Sequence, residues 1–196
     1  MTTKPVVLGS RPIHSGRVFN LRAEEIEYRD GHRATLDLIG HPGAAVILPL
    51  FDNGDVALVR QYRHATGGEW LLEVPAGTLN PGESPEVCAV RECAEEAGWR
   101  PRRIVPLGYL WTTPGFTDER IWIYVGLDLE EASQELDEDE ELSVERMPLA
   151  AALALALRGG IDDGKSIAAL VRAASYLGVS ADGPGSLPSS RSIERI

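Results

Sequence analysis

Residues 77–99 constrain this chain most, because a glycine turn there leads into a helix with clear start and stop signals. Ser84 suits the N-cap, Pro85 the first helical position and Gly98 the position just past the end. The helix carries glutamates at i, i+3 and i+4, namely Glu92, Glu95 and Glu96. Like charges at this spacing destabilise a helix by roughly a few tenths of a kcal/mol per pair. The pattern therefore predicts a bound divalent cation, Mg²⁺ or Mn²⁺, which would in turn hold a phosphate.

The other side of this helix carries an apolar stripe. Its members recur at helical spacing, at Val87, Val90, Ala94 and Ala97. Such spacing is typical of a helix that packs on one face only. We therefore expect the stripe to pack against the core and the glutamates to point outward.

Acidic residues are concentrated in one later segment. The chain has 196 residues, a formal net charge of −11 and a pI near 4.8. Nine acids and no lysine or arginine lie within residues 130–145. This balance argues against a nucleic-acid binder that works through a general basic surface. The length suits one sizeable domain with extensions.

The cysteines and the N-terminus bear on location. Cys88 and Cys93 lie five apart in the predicted helix, which is neither a disulfide framework nor a metal-ligand spacing. We interpret them as packing thiols in a reducing compartment. The N-terminal residues lack the regions of a signal peptide, and no apolar run approaches the roughly 18 residues of a membrane span. We expect a cytoplasmic protein with no membrane partner.

The N-terminal residues predict a small β unit. Residues 1–16 are expected to be irregular chain or a short edge strand. Residues 18–28 and 32–39 predict a hairpin around an Asp-Gly turn. This unit has little apolar surface of its own, and an exposed hairpin edge invites strand pairing. We expect it to pack on the main domain or on a second copy of the chain, which favours a homodimer.

The remaining chain alternates strands and helices. Residues 44–50 and 56–62, joined by a tight turn, predict a second hairpin. Further strands are predicted at 70–74, 104–111, 120–127 and 142–147, and further helices at 148–157 and 165–177. We divide the chain into an N-terminal β-hairpin and dimerisation domain (1–42), a main domain (43–178) and a flexible tail (179–196).

The spacing of the first stretch matches a known signature. Gly77 is followed after five residues by Glu83, and after seven more by the run Arg-Glu-Cys-Ala-Glu-Glu-Ala-Gly-Trp at 91–99. This resembles, position for position, the signature of the Nudix hydrolases. Cys93 and Trp99 stand where that family usually has aliphatic residues. The resemblance covers roughly residues 15–160 and implies an α/β fold, the Nudix α/β/α sandwich with a mixed sheet, preceded by a small N-terminal β domain.

The resemblance also implies roles within this stretch. Metal ligands would be Glu92, Glu95, Glu96 and the carbonyl of Ala76. Glu83 and Arg91 look like the pair that ties the loop to the helix, and with Glu95 we count them among the residues that serve catalysis. The alternative is an ordinary solvated face of an amphipathic helix. The fixed glycines, Glu83 and Arg91 argue against that alternative.

Two stretches before the helix look like the strand pair of the ADP-ribose pyrophosphatase branch, residues 59–63 and 70–77. Arg63 is our candidate phosphate contact, because a guanidinium fork matches phosphate oxygens. Arg60 is a second candidate, for which ordinary surface charge is an equal alternative. Glu73 is either a metal-site acid or a structural acid.

A later loop points to the same branch. Pro114 lies sixteen residues beyond Gly98, in a segment that resembles the Ser-Pro-Gly-x-Ser/Thr-x-Glu loop of ADP-ribose hydrolysing members. Glu119 is the expected polar contact to substrate, although Pro-Gly is often only a turn. For the adenine we expect Phe19 or Tyr28, reaching across a dimer, with packing as the alternative.

The catalytic base is expected in the acidic segment. Relatives carry a mobile loop there that supplies the base or an extra metal contact. Glu138 and Glu140 are the candidates, because a carboxylate near the metals could accept a proton from the attacking water. A run of acids is otherwise simply solvated.

The resemblance implies Mg²⁺-dependent hydrolysis of the diphosphate of ADP-ribose to AMP and ribose 5-phosphate. Another nucleoside diphosphate sugar or a dinucleotide is the alternative within the same fold. A non-catalytic ADP-ribose sensor is the alternative from another class. It would show a damaged signature or an added basic module for DNA, whereas every acid of the signature is present and the chain after residue 160 shows no clear recognition helix.

Overall fold

A computed structural model of the protein describes residues 4–136 and 141–181. Within them the chain forms two compact units. The first comprises the residues up to Gly43 together with Leu110–Ile121, and the second comprises the remainder. The domain boundaries that we predicted stay a prediction, and most of the expected tail lies outside the described residues.

The first unit contains a three-stranded antiparallel sheet in the order β1-β2-β3. Its strands are β1 (Val6–Ser15), β2 (Asn20–Glu27) and β3 (Arg33–Gly40). The predicted hairpin between β2 and β3 is confirmed, and Gly31 closes its turn with a φ of 81°. At ten residues, β1 is longer than the short edge strand that we expected. Two register shifts along β1, one next to Gly9 and one next to Pro12, let the strand continue past residues that normally interrupt pairing.

The segment 110–121 is bonded to the end of β3. Ile39 N donates to the carbonyl of Phe116 at 2.7 Å, and Asp118 N donates to the carbonyl of Ile39 at 3.2 Å. The carboxylate of Asp118 accepts a further bond from His41 N at 2.8 Å. The loop that carries Pro114 is therefore part of the first unit.

The second unit is built on two sheets. One has the order β7-β4-β9-β8 and the other the order β10-β5-β6. The strands are β4 (Ala44–Pro49), β5 (Asp55–Arg63), β6 (Glu69–Glu73), β7 (Ala76–Thr78), β8 (Trp99–Trp111), β9 (Arg120–Glu131) and β10 (Leu142–Pro148). Strands β8 and β9 begin or end in the segment that belongs to the first unit. Strand β7 contains Gly77, where we had predicted a turn, and pairs with β4.

The second hairpin that we predicted is wrong. Strands β4 and β5 lie in different sheets and share only an isolated bridge between Leu50 and Val56. Every residue of β4 is buried, as are residues 56–59 of β5. Each strand therefore has its own pair of hydrogen-bonded neighbours, and the tight turn joins two sheets instead of two paired strands.

Three helices complete the second unit, namely α1 (Pro85–Ala97), α2 (Leu149–Leu157) and α3 (Gly164–Leu177). The predicted limits of α1 are confirmed: Ser84 Oγ accepts a hydrogen bond from Val87 N at 3.4 Å, and Gly98 is left-handed with a φ of 72°. Helices α1 and α3 both pack against β4. Across the described residues, no helix has the length and apolar character that a membrane span requires.

The face of α1 that packs inward matches the predicted stripe only at Ala94 and Ala97, each 4% exposed. Val87 is 58% exposed, whereas Glu92 and Glu96 are only 7% and 1% exposed. The helix contacts the core through small side chains, including Cys88 and Cys93. Small residues bring the helix close to the sheet, and the carboxylates are buried with it. Our expectation that the glutamates point outward is therefore wrong for Glu92 and Glu96, whereas the Glu95 side chain is 34% exposed.

Both thiols are enclosed by this packing. Cys88 and Cys93 are free and fully buried. Burial first, and then the nearby charges of Glu92 and Glu96 respectively, raise the pKa of each thiol to about 12. Only the thiolate is nucleophilic, so both residues are inert in the folded chain.

We expect a thiol-specific reagent at pH 8 to modify neither cysteine of the native protein. Both should react after unfolding in guanidinium chloride, because each thiol then regains solvent and an ordinary pKa near 8.5. With a reagent that releases a chromophore when it reacts, the absorbance of that chromophore measures the number of modified thiols. Rapid reaction of the native protein would show that α1 does not pack as described.

Candidate active site

Strand β7 brings the backbone of Ala76 against the C-terminal half of α1. Ala76 N donates a hydrogen bond to Glu96 Oε2 at 2.9 Å. The preceding carbonyl, that of Pro75, accepts from Ile47 N of β4 at 3.0 Å. The carboxylate of Glu96 is thus buried but hydrogen-bonded, which is the condition under which a polar group is tolerated in a core.

Gly77 leaves space that Glu92 occupies. A Cβ placed on Gly77 would lie 1.7 Å from Glu92 Oε1 and 2.1 Å from its Cδ. Real Cβ atoms do not approach other atoms this closely, so any side chain at residue 77 would displace the carboxylate. The glycine is required here by the contact with Glu92 rather than by a turn alone.

Arg91 joins the loop to the helix. Its Nε and Nη2 donate to the two carboxylate oxygens of Glu83 at 2.9 and 3.0 Å. Glu83 Oε2 also accepts from Asn80 N at 2.9 Å. The hydrogen bonds from Arg91 are the largest influence on Glu83 and hold the pKa of its carboxyl below the ordinary value. The pairing that the resemblance implied for Glu83 and Arg91 is present.

The same guanidinium contacts the carboxylates of the helix. Arg91 Nη1 lies 2.6 Å from Glu92 Oε1 and 2.9 Å from Glu95 Oε2. Hydrogen bonding to Glu83, followed by the charge of Glu92, raises the pKa of Arg91 above its ordinary value. Glu83, Glu92 and Glu95 thus share one cationic group.

The donor set fits a hard divalent cation. Glu92, Glu95 and Glu96 supply carboxylate oxygens, and Ala76 supplies a backbone carbonyl, the kinds of ligand that such ions prefer. Their negative charge exceeds what the Arg91 guanidinium can neutralise. Within residues 4–136 and 141–181, no three histidine, cysteine, aspartate or glutamate side chains are already grouped as metal ligands. The chemistry of the donors and the close approach of Glu92 to the backbone at Gly77 are the features that support such an ion.

Arg63 is fixed by a buried acid. Its Nε and Nη2 donate to Glu73 Oε1 and Oε2, both at 2.8 Å. Glu73 is only 1% exposed, whereas the Arg63 side chain is 37% exposed. Hydrogen bonding to Glu73 is the largest influence on Arg63 and raises its pKa, and the charge of Glu96 acts in the same direction. Arg63 and Glu96 are therefore within electrostatic reach of each other.

Arg60 lies on the same strand as Arg63, β5, but pairs with a different acid. Its Nε pairs with Glu145 Oε1 of β10 at 2.5 Å, and both side chains are more than one third exposed. This pair lies on the surface formed by β5 and β10. A substrate contact for Arg60 stays a prediction, as it does for Arg63.

Four predicted substrate residues belong to the first unit. Glu119 accepts a hydrogen bond from Thr112 Oγ1 at 2.8 Å across the loop that contains Pro114. Phe19 and Tyr28 are 41% and 39% exposed, and the Tyr28 ring stacks on His32 with centroids 5.9 Å apart. Their roles in binding stay predictions.

The two candidate bases, Glu138 and Glu140, lie outside the described residues. Both flanks of that segment are bonded within the second unit. Glu135 N donates to the carbonyl of Glu95 on α1 at 3.0 Å, and Tyr62 N donates to the carbonyl of Glu141 at 3.1 Å.

The sequence predicted the start of α3 to within one residue, but not the contacts that its first turn makes. Lys165 donates hydrogen bonds to Glu73 and Asp163, and Ser166 Oγ accepts one from Val74 N at 2.7 Å. A signal was available: a lysine in the first turn of a helix opposes the helix dipole. Such a placement indicates that acidic partners lie nearby.

Comparison with known proteins identifies the family of this chain. Residues 40–170 match the NUDIX domain. An ADP-ribose pyrophosphatase of Bacillus subtilis (strain 168) is 33% identical over 165 residues, which cover 83% of this chain and 89% of that protein. A methanol dehydrogenase activator of Bacillus methanolicus is 35% identical over 160 residues, which cover 81% of this chain and 86% of that protein.

A solved structure agrees in fold. The crystal structure of an ADP compounds hydrolase superposes with a TM-score of 0.81 at 28% identity, covering 91% of this chain and 96% of that one. The predicted fold class is confirmed by this match together with the domain match. The chain therefore belongs to the NUDIX family, and the resemblance to the Nudix hydrolases carried by residues 77–99 is confirmed.

Proposed function

We propose that this protein hydrolyses the diphosphate of ADP-ribose to AMP and ribose 5-phosphate. The observation that carries the proposal is the burial of Glu92 and Glu96 beside Gly77, with Arg91 holding the same helix to the loop. Such a group of acids suits diphosphate chemistry. The names of the relatives, an ADP-ribose pyrophosphatase and an ADP compounds hydrolase, support ADP-ribose as the substrate.

Mg²⁺ or Mn²⁺ would be held by Glu92, Glu95, Glu96 and the carbonyl of Ala76. When bound, such an ion neutralises charge on the diphosphate and lowers the pKa of a bound water. Arg91 and Glu83 keep the loop and helix together, which orients the ligand oxygens. We assign these two residues to catalysis in this supporting sense.

Arg63 would bind a phosphate oxygen. Glu73 takes its Nε and Nη2, and among the described residues no side chain accepts a hydrogen bond from its Nη1. A guanidinium held in this way has little conformational entropy left to lose on binding. Arg60, on the exposed surface of the same strand, is the second proposed contact.

Proton removal from the attacking water is assigned to the carboxylate of Glu138 or Glu140. The proposal is supported by the flanking bonds of that segment to Glu95 and Tyr62, which keep its two ends within the second unit. A carboxylate with an ordinary pKa is ionised at neutral pH and can accept the proton.

Four further substrate contacts remain part of the proposal. Pro114 and Glu119 would contact the substrate through their loop, and Phe19 or Tyr28 would stack on the adenine. The support is that both rings are exposed, and that Glu119 is oriented by Thr112.

We also propose a homodimer in the cytoplasm. Strand β1 is exposed along all ten residues and presents Val6, Val7, Leu8 and Ile13 at a sheet edge. Edges of this kind are normally covered by another strand or chain. Free cysteines are typical of a reducing compartment, which supports the location.

We expect purified protein with Mg²⁺ to release AMP from ADP-ribose faster than it cleaves GDP-mannose or NADH. Chromatography of the nucleotide products gives the rate for each compound. Faster cleavage of one of the others would overturn the assignment to ADP-ribose and leave a Nudix hydrolase of different specificity.

A second candidate is a regulatory protein, favoured by the relative that is named an activator. A purely regulatory role does not require Glu92 and Glu96 to be buried together beside β7. The complete set of acids therefore favours hydrolysis. Absence of turnover on all three compounds would favour regulation.

A further inference from the structure

The first turn of α3 contains a lysine whose charge is nearly enclosed. The side chain of Lys165 is 14% exposed. Its Nζ donates to Glu73 Oε2, and to Asp163 Oδ2 at 2.9 Å. Ordering and desolvating a lysine at the positive end of a helix is unfavourable unless specific partners compensate. Here both partners are carboxylates.

These groups form one connected network with Arg63. Glu73 bonds to Arg63 through both oxygens and to Lys165 through one of them. The network therefore contains two acids and two cations and has no net charge. Burial raises the pKa of Glu73, but the hydrogen bond from Arg63 and the charge of Lys165 outweigh it and leave the pKa below its ordinary value. Glu73 is thus an anion shared by two cations.

The start of α3 also bonds to the backbone that leads towards α1, the helix that carries Glu92, Glu95 and Glu96. Asp163 Oδ2 accepts from Ser166 N at 3.0 Å and from the hydroxyl of Ser166. That hydroxyl in turn accepts from Val74 N at 2.7 Å. Two residues further on, Ala76 N bonds to Glu96. The N-terminus of α3 therefore contacts both the acid that orients Arg63 and the strand end beside Glu96.

We propose that Lys165 is a positioning residue that acts through Glu73 to hold Arg63 for a diphosphate. The inference rests on the proposed function of the site. Without Lys165, the network would carry a net negative charge close to the place where the phosphates bind. Glu73 would also lose the partner that fixes it from the side of α3. Both changes weaken the binding of an anion by Arg63.

The test is calorimetric titration of Lys165→Met with inorganic pyrophosphate in Mg²⁺ buffer. We expect the Kd to rise about tenfold, the range found when a hydrogen bond to a charged group is lost. With ADP-ribose, KM should rise by a similar factor while kcat changes by less than about threefold. Lys165→Arg should recover most of the binding, because it restores the positive charge.

Arg102→Met is the matched control. Arg102 is a 69% exposed side chain of the second unit, paired with Glu130 on the surface. Its removal changes the net charge of the protein by the same amount, and should leave the Kd for pyrophosphate unchanged. Thermal melts of all variants establish that each is folded.

Several outcomes would overturn the inference. A folded Lys165→Met variant that binds pyrophosphate like the wild type would show that Lys165 only stabilises the fold. If that variant does not fold, Lys165→Gln, which keeps a donor for Glu73, replaces it; failure of both to fold also assigns a purely structural role. Wild-type protein that does not bind pyrophosphate overturns the role of Arg63 and with it that of Lys165.

The inference and the proposed function fail in different ways. Wild-type protein that binds pyrophosphate but leaves ADP-ribose intact contradicts the proposed function alone. Wild-type protein that hydrolyses ADP-ribose, with a Lys165→Met variant that matches it in KM, contradicts the inference alone.

Discussion

Glu96→Gln is expected to lower the turnover of ADP-ribose by about a thousandfold while the protein stays folded. Glu96 is 1% exposed and accepts its hydrogen bond from Ala76 N at 2.9 Å. The amide oxygen of glutamine can accept the same bond in a side chain of the same shape. What is lost is the negative charge that would hold a divalent cation, worth about 4 kcal/mol in the transition state. Steady-state kcat measures the loss of turnover, and a thermal melt of the same sample shows whether the variant is folded.

Glu86→Gln is the control for this variant. Glu86 lies in the first turn of the same helix and is exposed, so its replacement should leave turnover near that of the wild type. Mg²⁺ should raise the Tm of the wild type and of Glu86→Gln, because a ligand that binds only the folded state stabilises it. The Mg²⁺-dependent rise should be much smaller for Glu96→Gln. Turnover within tenfold of the wild type would contradict the assignment of Glu96 as a ligand.

Local signals in the sequence were sufficient to predict the elements around the site. The limits of α1 follow from Ser84, Pro85 and Gly98, each of which acts on its own neighbours. Most strands were predicted for the same reason, since their apolar runs are bounded by turn residues. The spacing from Gly77 to Trp99 then placed the acids on one helix. These features depend on residues that are close in sequence.

The inward orientation of that helix could not be predicted in the same way. An apolar pattern assigns burial to the valines and exposure to the glutamates, whereas Val87 is exposed and Glu96 is buried. The carboxylates tolerate burial because the backbone N–H of Ala76 in β7 and the guanidinium of Arg91 bond to them. Those partners become neighbours only once the sheet has formed.

Long-range pairing explains the other differences. Strand β5 pairs with β10, so Val59 lies opposite Val144 instead of a residue of β4. The contact between Glu73 and Lys165 joins residues 92 positions apart. No local pattern specifies such partners, because they depend on which sheet edge each strand meets. The part of the site contributed by α3 was therefore missed, while the part contributed by α1 was found.

Gly77→Ala is expected to lower turnover by about a hundredfold or more, although residue 77 carries no chemistry of its own. The new methyl group would overlap Glu92 Oε1, which lies 1.7 Å from that position. Because the obstacle is the end of a flexible side chain, the protein should fold with a loss of about 1–3 kcal/mol. The carboxylate of Glu92 must then leave both the backbone at Gly77 and the bond to Arg91 at 2.6 Å. Displacing one ligand in this way costs metal affinity and activity together.

Gly164→Ala separates this effect from a general effect of replacing glycine. A Cβ on Gly164 would meet no atom within 4 Å, and Gly164 lies in the first turn of α3, so the variant should match or slightly exceed the wild type in Tm. The Mg²⁺ concentration for half-maximal activity should rise for Gly77→Ala and stay unchanged for Gly164→Ala. Equal behaviour of the two variants would mean that the close approach of Glu92 to the backbone at Gly77 is not needed for catalysis. If the Mg²⁺ concentration for half-maximal activity rises only for Gly77→Ala, the signature starts with a glycine because Glu92 must approach the backbone there.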